Sequence, residues 1–183
     1  MSTAPPLERT RDLVTSALVT ALLAASAYVV VPLQPVPVTL QVFFVTLSAL
    51  LLPVRWATSA VVAYLLLGAA GLPVFSGAKG GLGVLAGPTG GYLIGFLVAA
   101  ALGSAVRAVA VRSGTRLVVA DAEAGATVVL AIYAVGTTWL AVVAGLTPLE
   151  AIAAGAAPFV LPDAAKVVAA VGVAAAVRRA RTR

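Results

Sequence analysis

The twenty residues 92–111, YLIGFLVAAALGSAVRAVAV, contain a single charged side chain, that of Arg107. A hydrocarbon core about 30 Å thick needs roughly 20 helical residues, and this stretch supplies that length in residues that favour a helix. Its apolar residues follow one another without the alternation with polar residues that a membrane β-barrel strand requires. The stretch therefore predicts a transmembrane α-helix.

The rest of the chain repeats this pattern. Of its 183 residues, 62% are hydrophobic and 10% are charged, with a mean hydropathy of +1.11, whereas about a quarter of the residues of a soluble domain are charged. Apolar runs bounded by charge, proline or glycine predict six transmembrane helices, at 13–31, 39–52, 56–71, 92–111, 124–145 and 161–177. The second and third runs are short for a span. We expect an all-α membrane protein, a single integral membrane domain over 1–183 with a cytoplasmic tail at 1–12 and a basic cytoplasmic tail at 178–183.

The positive charges predict the orientation of these helices. The net charge of +6 would suggest nucleic-acid binding in a soluble protein, but here the basic residues lie between apolar runs or at the ends. With six spans, all the arginines fall on one side of the membrane: Arg9, Arg11, Arg55, Arg107, Arg112, Arg116, Arg178, Arg179, Arg181 and Arg183. Both termini are therefore expected in the cytoplasm. Lys79 and Lys166 are the exceptions, which makes them candidates for function.

The start of the last predicted helix carries an acid and a base. In PFVLPDAAK, residues 158–166, Asp163 and Lys166 are three positions apart and so share one helix face. Charge within a bilayer is costly, and such residues normally face an interior cavity and pair with a partner. We interpret them as donors and acceptors for a polar ligand. The alternative is a pair that only neutralises itself.

A glycine-rich stretch, GAKGGLGVLAGPTGGY at 77–92, follows the third helix on the outer side. Lys79 does not stand where a phosphate-binding Walker sequence requires it, so the stretch is interpreted as a pocket wall or lid, with a plain flexible connection as the alternative. On the first outer loop, Thr39 and Gln41 follow three prolines and can bond a polar ligand or simply a neighbouring helix. Tyr92 and Trp139 are candidate apolar walls, or interfacial anchors.

The first helix carries small side chains at strict four-residue spacing, at Ala17, Ala21 and Ala25. Such a stripe lets two membrane helices approach closely. If it faces outward, it is a docking surface for another membrane protein. Chance, in a chain so rich in alanine, or internal packing explains the same pattern.

At these residues the sequence resembles the biotin transporter BioY family, the substrate-binding (S) components of energy-coupling factor transporters. The resemblance rests on VTLQ at 38–41, on LPVF at 72–75 continuing to GPTGGY at 87–92, and on Pro158 and Phe159 followed by Asp163 and Lys166. It implies the six-helix S-component fold and high-affinity biotin capture for uptake across the cytoplasmic membrane. It also implies a transmembrane coupling protein, contacted by the alanine stripe, and two cytoplasmic ATPases, although solitary transport stays open.

The resemblance also implies ligand contacts. Asp163 would accept the ureido N–H groups of biotin, Lys166 would donate to the ureido carbonyl, and Phe75, Tyr92 and Trp139 would cover the ring. Lys79 or backbone N–H groups of the glycine loop, such as that of Gly80, would receive the tail carboxylate. No cofactor is implied, because biotin is cargo.

Other functions remain open from the residues themselves. A sibling S component for another vitamin would differ only at the loop and last-helix residues. A non-transporting structural subunit would bind no small ligand. An intramembrane enzyme acting on lipid is disfavoured because the chain has no cysteine and no histidine and shows no paired carboxylates.

Overall fold

The computed structural model of the protein describes residues 6–181, which are mostly helical. The elements in chain order are α1 (Pro6–Ser26), β1 (Val30–Val31), β2 (Val38–Thr39), α2 (Gln41–Leu51), α3 (Val54–Ala69), α4 (Leu82–Ala86), α5 (Gly90–Arg112), α6 (Leu117–Ala144), α7 (Pro148–Gly155), a 3₁₀ turn (Ala157–Phe159) and α8 (Val160–Arg181). Helices α1, α2, α3, α5, α6 and α8 coincide in order with the six predicted apolar runs.

The ends of the first and last helices differ from the prediction. Helix α1 already begins at Pro6, so most of the predicted tail at 1–12 is helical, and residues 1–5 lie outside the described part. It stops at Ser26 instead of position 31, because the chain then extends into β1, which pairs antiparallel with β2. Helix α8 continues to Arg181, so the predicted basic tail is helical up to that residue, and 182–183 are not described.

Three helical stretches within residues 6–181 are long and apolar enough to cross a membrane: Gly90–Arg112, Leu117–Ala144 and Pro148–Arg181. Helices α2 and α3 are apolar but shorter. The outer surface carries large apolar side chains that are strongly exposed, among them Leu66, Leu130, Val142 and Leu161. Since a soluble protein seldom exposes so many, these side chains indicate a surface that faces lipid.

Helix α2 is the centre of the bundle. It packs against α1, α3, α5, α6 and α8, and eight of its eleven residues are buried, including Gln41 at its first turn. This position accounts for the short second apolar run: α2 is enclosed by other helices and contributes core side chains such as Val45 and Leu50.

Helices α5 and α6 form an antiparallel pair with glycines at the interface. A side chain at Gly95 would crowd the backbone of Ile132, and one at Gly136 would overlap the ring of Tyr92. The two helices therefore approach each other more closely than larger residues would allow.

A buried carboxylate joins three helices at the opposite end of the bundle from Asp163. Asp121 of α6 has no exposed surface and accepts from Arg107 Nε of α5 at 2.7 Å and from Arg178 Nη2 of α8. Arg181, one turn further along α8, lies 3.5 Å from Thr15 Oγ1 of α1. The N-terminal part of α1 and the C-terminal part of α8 thus lie at the same end.

Candidate ligand-binding site

A cavity of about 310 Å³ lies between the helices and the loops that precede α2 and α5. Seven of the nine ligand-binding residues predicted from sequence line it: Thr39, Gln41, Phe75, Lys79, Tyr92, Asp163 and Lys166. Pro32, Pro35 and Pro37, in the loop before α2, form another part of the wall. The arrangement is that of an apolar pocket with a few polar groups, which suits a small ligand.

Asp163 and Lys166 form an ion pair at the cavity wall. Lys166 Nζ donates to Asp163 Oδ1 at 2.7 Å, and Asp163 is only 3% exposed. Tyr133 of α6, which also lines the cavity, donates its hydroxyl to Asp163 Oδ2 at 2.8 Å. Within residues 6–181, each carboxylate oxygen accepts one hydrogen bond, and since a carboxylate has about four acceptor positions, about two are left for a ligand.

Tyr133 is a site residue that sequence reasoning missed. It lies in the apolar run of α6, where the sequence does not distinguish a tyrosine at the cavity wall from the other large apolar residues. A signal was present, because a phenol hydroxyl inside a membrane helix needs a hydrogen-bond partner. In the fold, this partner is the carboxylate of Asp163 on α8.

Gln41 and Thr39 belong to a second polar group. Thr39 Oγ1 donates to Gln41 Oε1 at 3.0 Å, and Gln41 Nε2 donates to the hydroxyl of Tyr64. Gln41 is 2% exposed, and Tyr64 of α3 is fully buried behind it. The amide is therefore held in one orientation at the start of α2, where it lines the cavity.

Phe75 and Lys79 pair with each other in a short hairpin. Phe75 N–H donates to Lys79 O at 2.9 Å, and Lys79 N–H donates to Phe75 O at 3.2 Å. The ring of Phe75 is fully buried, lies edge-on to Tyr64 with 5.5 Å between centroids, and fills the space left by Gly68. The hairpin is thus anchored in the core, and both Phe75 and Lys79 line the cavity.

Tyr92 contributes an aromatic wall. Its hydroxyl donates to the carbonyl of Gly155 at 2.8 Å, and its ring packs against Gly136. Because the hydroxyl is already used, the part of Tyr92 available to a ligand is apolar.

Gly80 and Trp139 do not line the cavity. A side chain at Gly80 would overlap the carbonyl of Leu72, so the glycine allows two backbone segments to approach. The indole of Trp139 packs against Gly91, and its Nε1 donates to Gly87 O at 2.9 Å. Gly80 thus lets the glycine-rich loop lie against Leu72, and Trp139 holds the same loop from α6.

The predicted partner-contact residues Ala17, Ala21 and Ala25 are all exposed on α1. The opposite face of the helix is fixed to α3, since Ser16 Oγ and Thr20 Oγ1 donate to carbonyls of that helix at 3.0 Å. The alanine stripe therefore faces outward, away from α3.

Comparison with known proteins agrees with the sequence and the fold. The sequence model of the BioY family matches residues 1–183. The chain belongs to the BioY family. The Biotin transporter BioY of Rhizobium etli is 38% identical to it over 171 residues, which are 88% of this BioY chain and 89% of that protein. The Biotin transporter BioY of Thermotoga maritima is 56% identical over 90 residues, 49% of this chain and about half (53%) of that protein.

A crystal structure of the S component for biotin from an ECF-type ABC transporter has the same fold as this BioY chain. The two superpose with a TM-score of 0.87 at 25% identity, over 99% of this chain and 96% of the other. The S-component fold predicted from the resemblance is thereby confirmed.

Proposed function

We propose that this BioY-family chain is the biotin-binding S component of a transporter that takes up biotin across the cytoplasmic membrane. The observation that carries the proposal is the cavity wall at Asp163, where a buried carboxylate faces an apolar pocket with acceptor positions to spare. The names of its relatives and of the structure with the same fold point to the same ligand.

The polar end of biotin suits this wall. Its ureido ring offers two N–H donors and one carbonyl acceptor. Asp163 accepts the N–H groups while Lys166, which keeps further donors after pairing with Asp163, donates to the carbonyl. Tyr133 and Lys166 hold the carboxylate in place before the ligand arrives, which reduces the entropy lost on binding. Phe75 and Tyr92 cover the apolar rings, and Lys79 attracts the tail carboxylate.

The proposed topology has six membrane-spanning helices in one domain, with both termini in the cytoplasm. Asp163 and Arg178 are fifteen positions apart on α8, which corresponds to about 22 Å along the helix. The cavity and the arginine-rich end of the bundle are therefore on opposite faces. The positive-inside rule assigns the arginine end to the cytoplasm and the cavity to the outside.

The proposed partners are a transmembrane coupling protein and two cytoplasmic ATPases. The outward stripe of Ala17, Ala21 and Ala25 gives a helix of the coupling protein a smooth surface for close approach. The chain itself is a transporter subunit and not an enzyme, and it has no Walker sequence, so ATP hydrolysis is assigned to the partners.

Equilibrium binding to the detergent-purified chain tests the ligand. Biotin, thiamine and riboflavin are compared on the wild type, on Asp163→Asn and on Lys166→Ala, with Glu123→Gln as the control because Glu123 is an exposed residue of α6 outside the cavity. Tight binding that is selective for biotin, lost in the two cavity variants and kept in the control, supports the proposal. Selective binding of thiamine or riboflavin would indicate an S component for another vitamin. Folded protein that binds none of the three would favour a structural subunit.

A further inference from the structure

Ser76 has a buried hydroxyl without a bond. The residue lines the cavity, its Oγ is shielded from solvent, and within residues 6–181 it has no hydrogen-bond partner. Buried hydroxyls are nearly always bonded, and each exception in a native structure calls for an explanation. The other unbonded buried side-chain atoms in the described part, on Trp56 and Arg178, lie away from the cavity.

The backbone on both sides of Ser76 is fixed. Phe75 is anchored in the core, and the Phe75–Lys79 pairing closes the hairpin. Gly77 N–H also points to Ala27 O, 3.4 Å away at the end of α1. The Ser76 hydroxyl can therefore change position only by rotating about its Cα–Cβ bond, between staggered positions. Because the hydroxyl makes no hydrogen bond within residues 6–181, turning toward a ligand in the cavity breaks no existing hydrogen bond.

The charge of the cavity indicates what kind of group the hydroxyl meets. The acidic and basic side chains at the wall are Lys79, Lys166 and Asp163. Lys166 and Asp163 neutralise each other at 2.7 Å, and Lys79 forms no ion pair within residues 6–181. The wall is therefore left with one positive charge in excess, and it is on the same hairpin as Ser76.

We propose that Ser76 is a specificity-determining residue whose hydroxyl donates a hydrogen bond to the carboxylate of the ligand, beside the ammonium group of Lys79. The inference rests on the proposed function and deepens it. Asp163 and Lys166 of α8 bind the ureido end of biotin, and the hairpin between α3 and α4 binds the carboxylate end. A hydroxyl and an ammonium group together form charge-assisted bonds with a carboxylate that neither forms with an uncharged ester.

Two ligands and three variants test the hydrogen bond from Ser76 to the ligand carboxylate. Binding of biotin and of biotin methyl ester is measured on the purified full chain for the wild type, Ser76→Ala, Lys79→Gln and the double variant. Ser59→Ala is the matched control, because Ser59 is an exposed serine of α3 whose hydroxyl donates to Arg55 O, away from the cavity. Thermal unfolding of every variant verifies folding.

The expected result is selective. Ser76→Ala loses about tenfold to a hundredfold in affinity for biotin, the range for a bond to a charged group, and less than about threefold for the ester. The double variant loses less than the product of the single losses, since both side chains act on one carboxylate. Ser59→Ala binds both ligands as the wild type does.

Other outcomes overturn the inference and can be told apart. If the wild type binds biotin and Ser76→Ala binds it equally well, or loses both ligands to the same extent, Ser76 does not read the carboxylate and the proposed function still stands. If folded wild-type protein does not bind biotin, the proposed function fails and this inference fails with it.

Discussion

Replacing Asp121 by alanine removes the carboxylate that joins α5, α6 and α8. Asp121 is fully buried, and its two partners Arg107 and Arg178 keep 21% and 23% of their side chains exposed. Removing one partner of a buried ion pair costs about 3–5 kcal/mol, because the remaining charge stays buried and unpaired. Here the remaining arginines retain some contact with the surface, so we expect a loss of about 3 kcal/mol, near the lower limit of that range.

For a chain of this size, such a loss lowers the midpoint of thermal unfolding by about 6–12 °C. The assay is the fraction of detergent-purified protein that stays monodisperse after heating, measured over a range of temperatures. Glu123→Ala is the matched control: it makes the same change in charge on the same helix, two residues away, at an exposed position. An exposed substitution changes stability by less than about 0.5 kcal/mol.

Comparing Asp121→Ala with Glu123→Ala tests whether the buried charge cluster stabilises the fold. If Asp121→Ala unfolds within about one degree of Glu123→Ala, the charge cluster contributes nothing to stability and the reasoning about its burial is wrong. The single variants Arg107→Ala and Arg178→Ala should lie between the two, because each leaves Asp121 with one partner.

Two further predictions concern α6 and α8. Tyr133→Phe removes one of the two bonds to Asp163 and should weaken biotin binding by about tenfold, since a hydrogen bond to a charged group contributes about 1.5–3 kcal/mol; unchanged binding in a folded variant would show that Tyr133 does not preorganise the carboxylate. Gly136→Ala forces a methyl group into the ring of Tyr92 and should cost about 1–3 kcal/mol in thermal stability. Gly172→Ala, where a methyl group meets open space on a helix, should instead gain up to about 1 kcal/mol, and equal effects at both glycines would contradict the packing argument.

The six helices of the bundle are predictable from sequence because an uninterrupted apolar run is a strong signal in a membrane protein. The residues at which these helices begin and end are less predictable. Helix α1 begins at Pro6 although charged residues follow it, since a helix can extend past the hydrocarbon once its apolar part has nucleated it. The pairing of β1 with β2 involves two residues on each strand, too few to leave a periodic pattern. The apolar run that forms α2 is short for a transmembrane span, and in the fold α2 is enclosed by the other helices.

The site is predictable where charge appears in an apolar setting. Asp163 and Lys166 stand out in sequence because ionisable groups are rare in membrane helices. Aromatic residues are harder to place, because an aromatic residue in an apolar run gives the same signal at a cavity wall as behind it: Trp139 is predicted at the wall and lies outside it, whereas Tyr133 lies at the wall and is missed. Tyr133 faces the carboxylate, and Trp139 is turned toward Gly87, a difference that depends on helix rotation and not on composition.

The glycines between α5 and α6 let each helix receive atoms of the other directly against its backbone: Gly95 lies against the backbone of Ile132, and Gly136 lies against the ring of Tyr92. Helix α5 carries Tyr92 and helix α6 carries Tyr133, so this close contact fixes the separation of two residues that line the cavity. Any opening that admits a ligand must come from the remaining walls. Of these walls, the Phe75–Lys79 hairpin is itself anchored in the core through the buried ring of Phe75, so we expect the proline loop before α2 to be the wall that moves when a ligand enters.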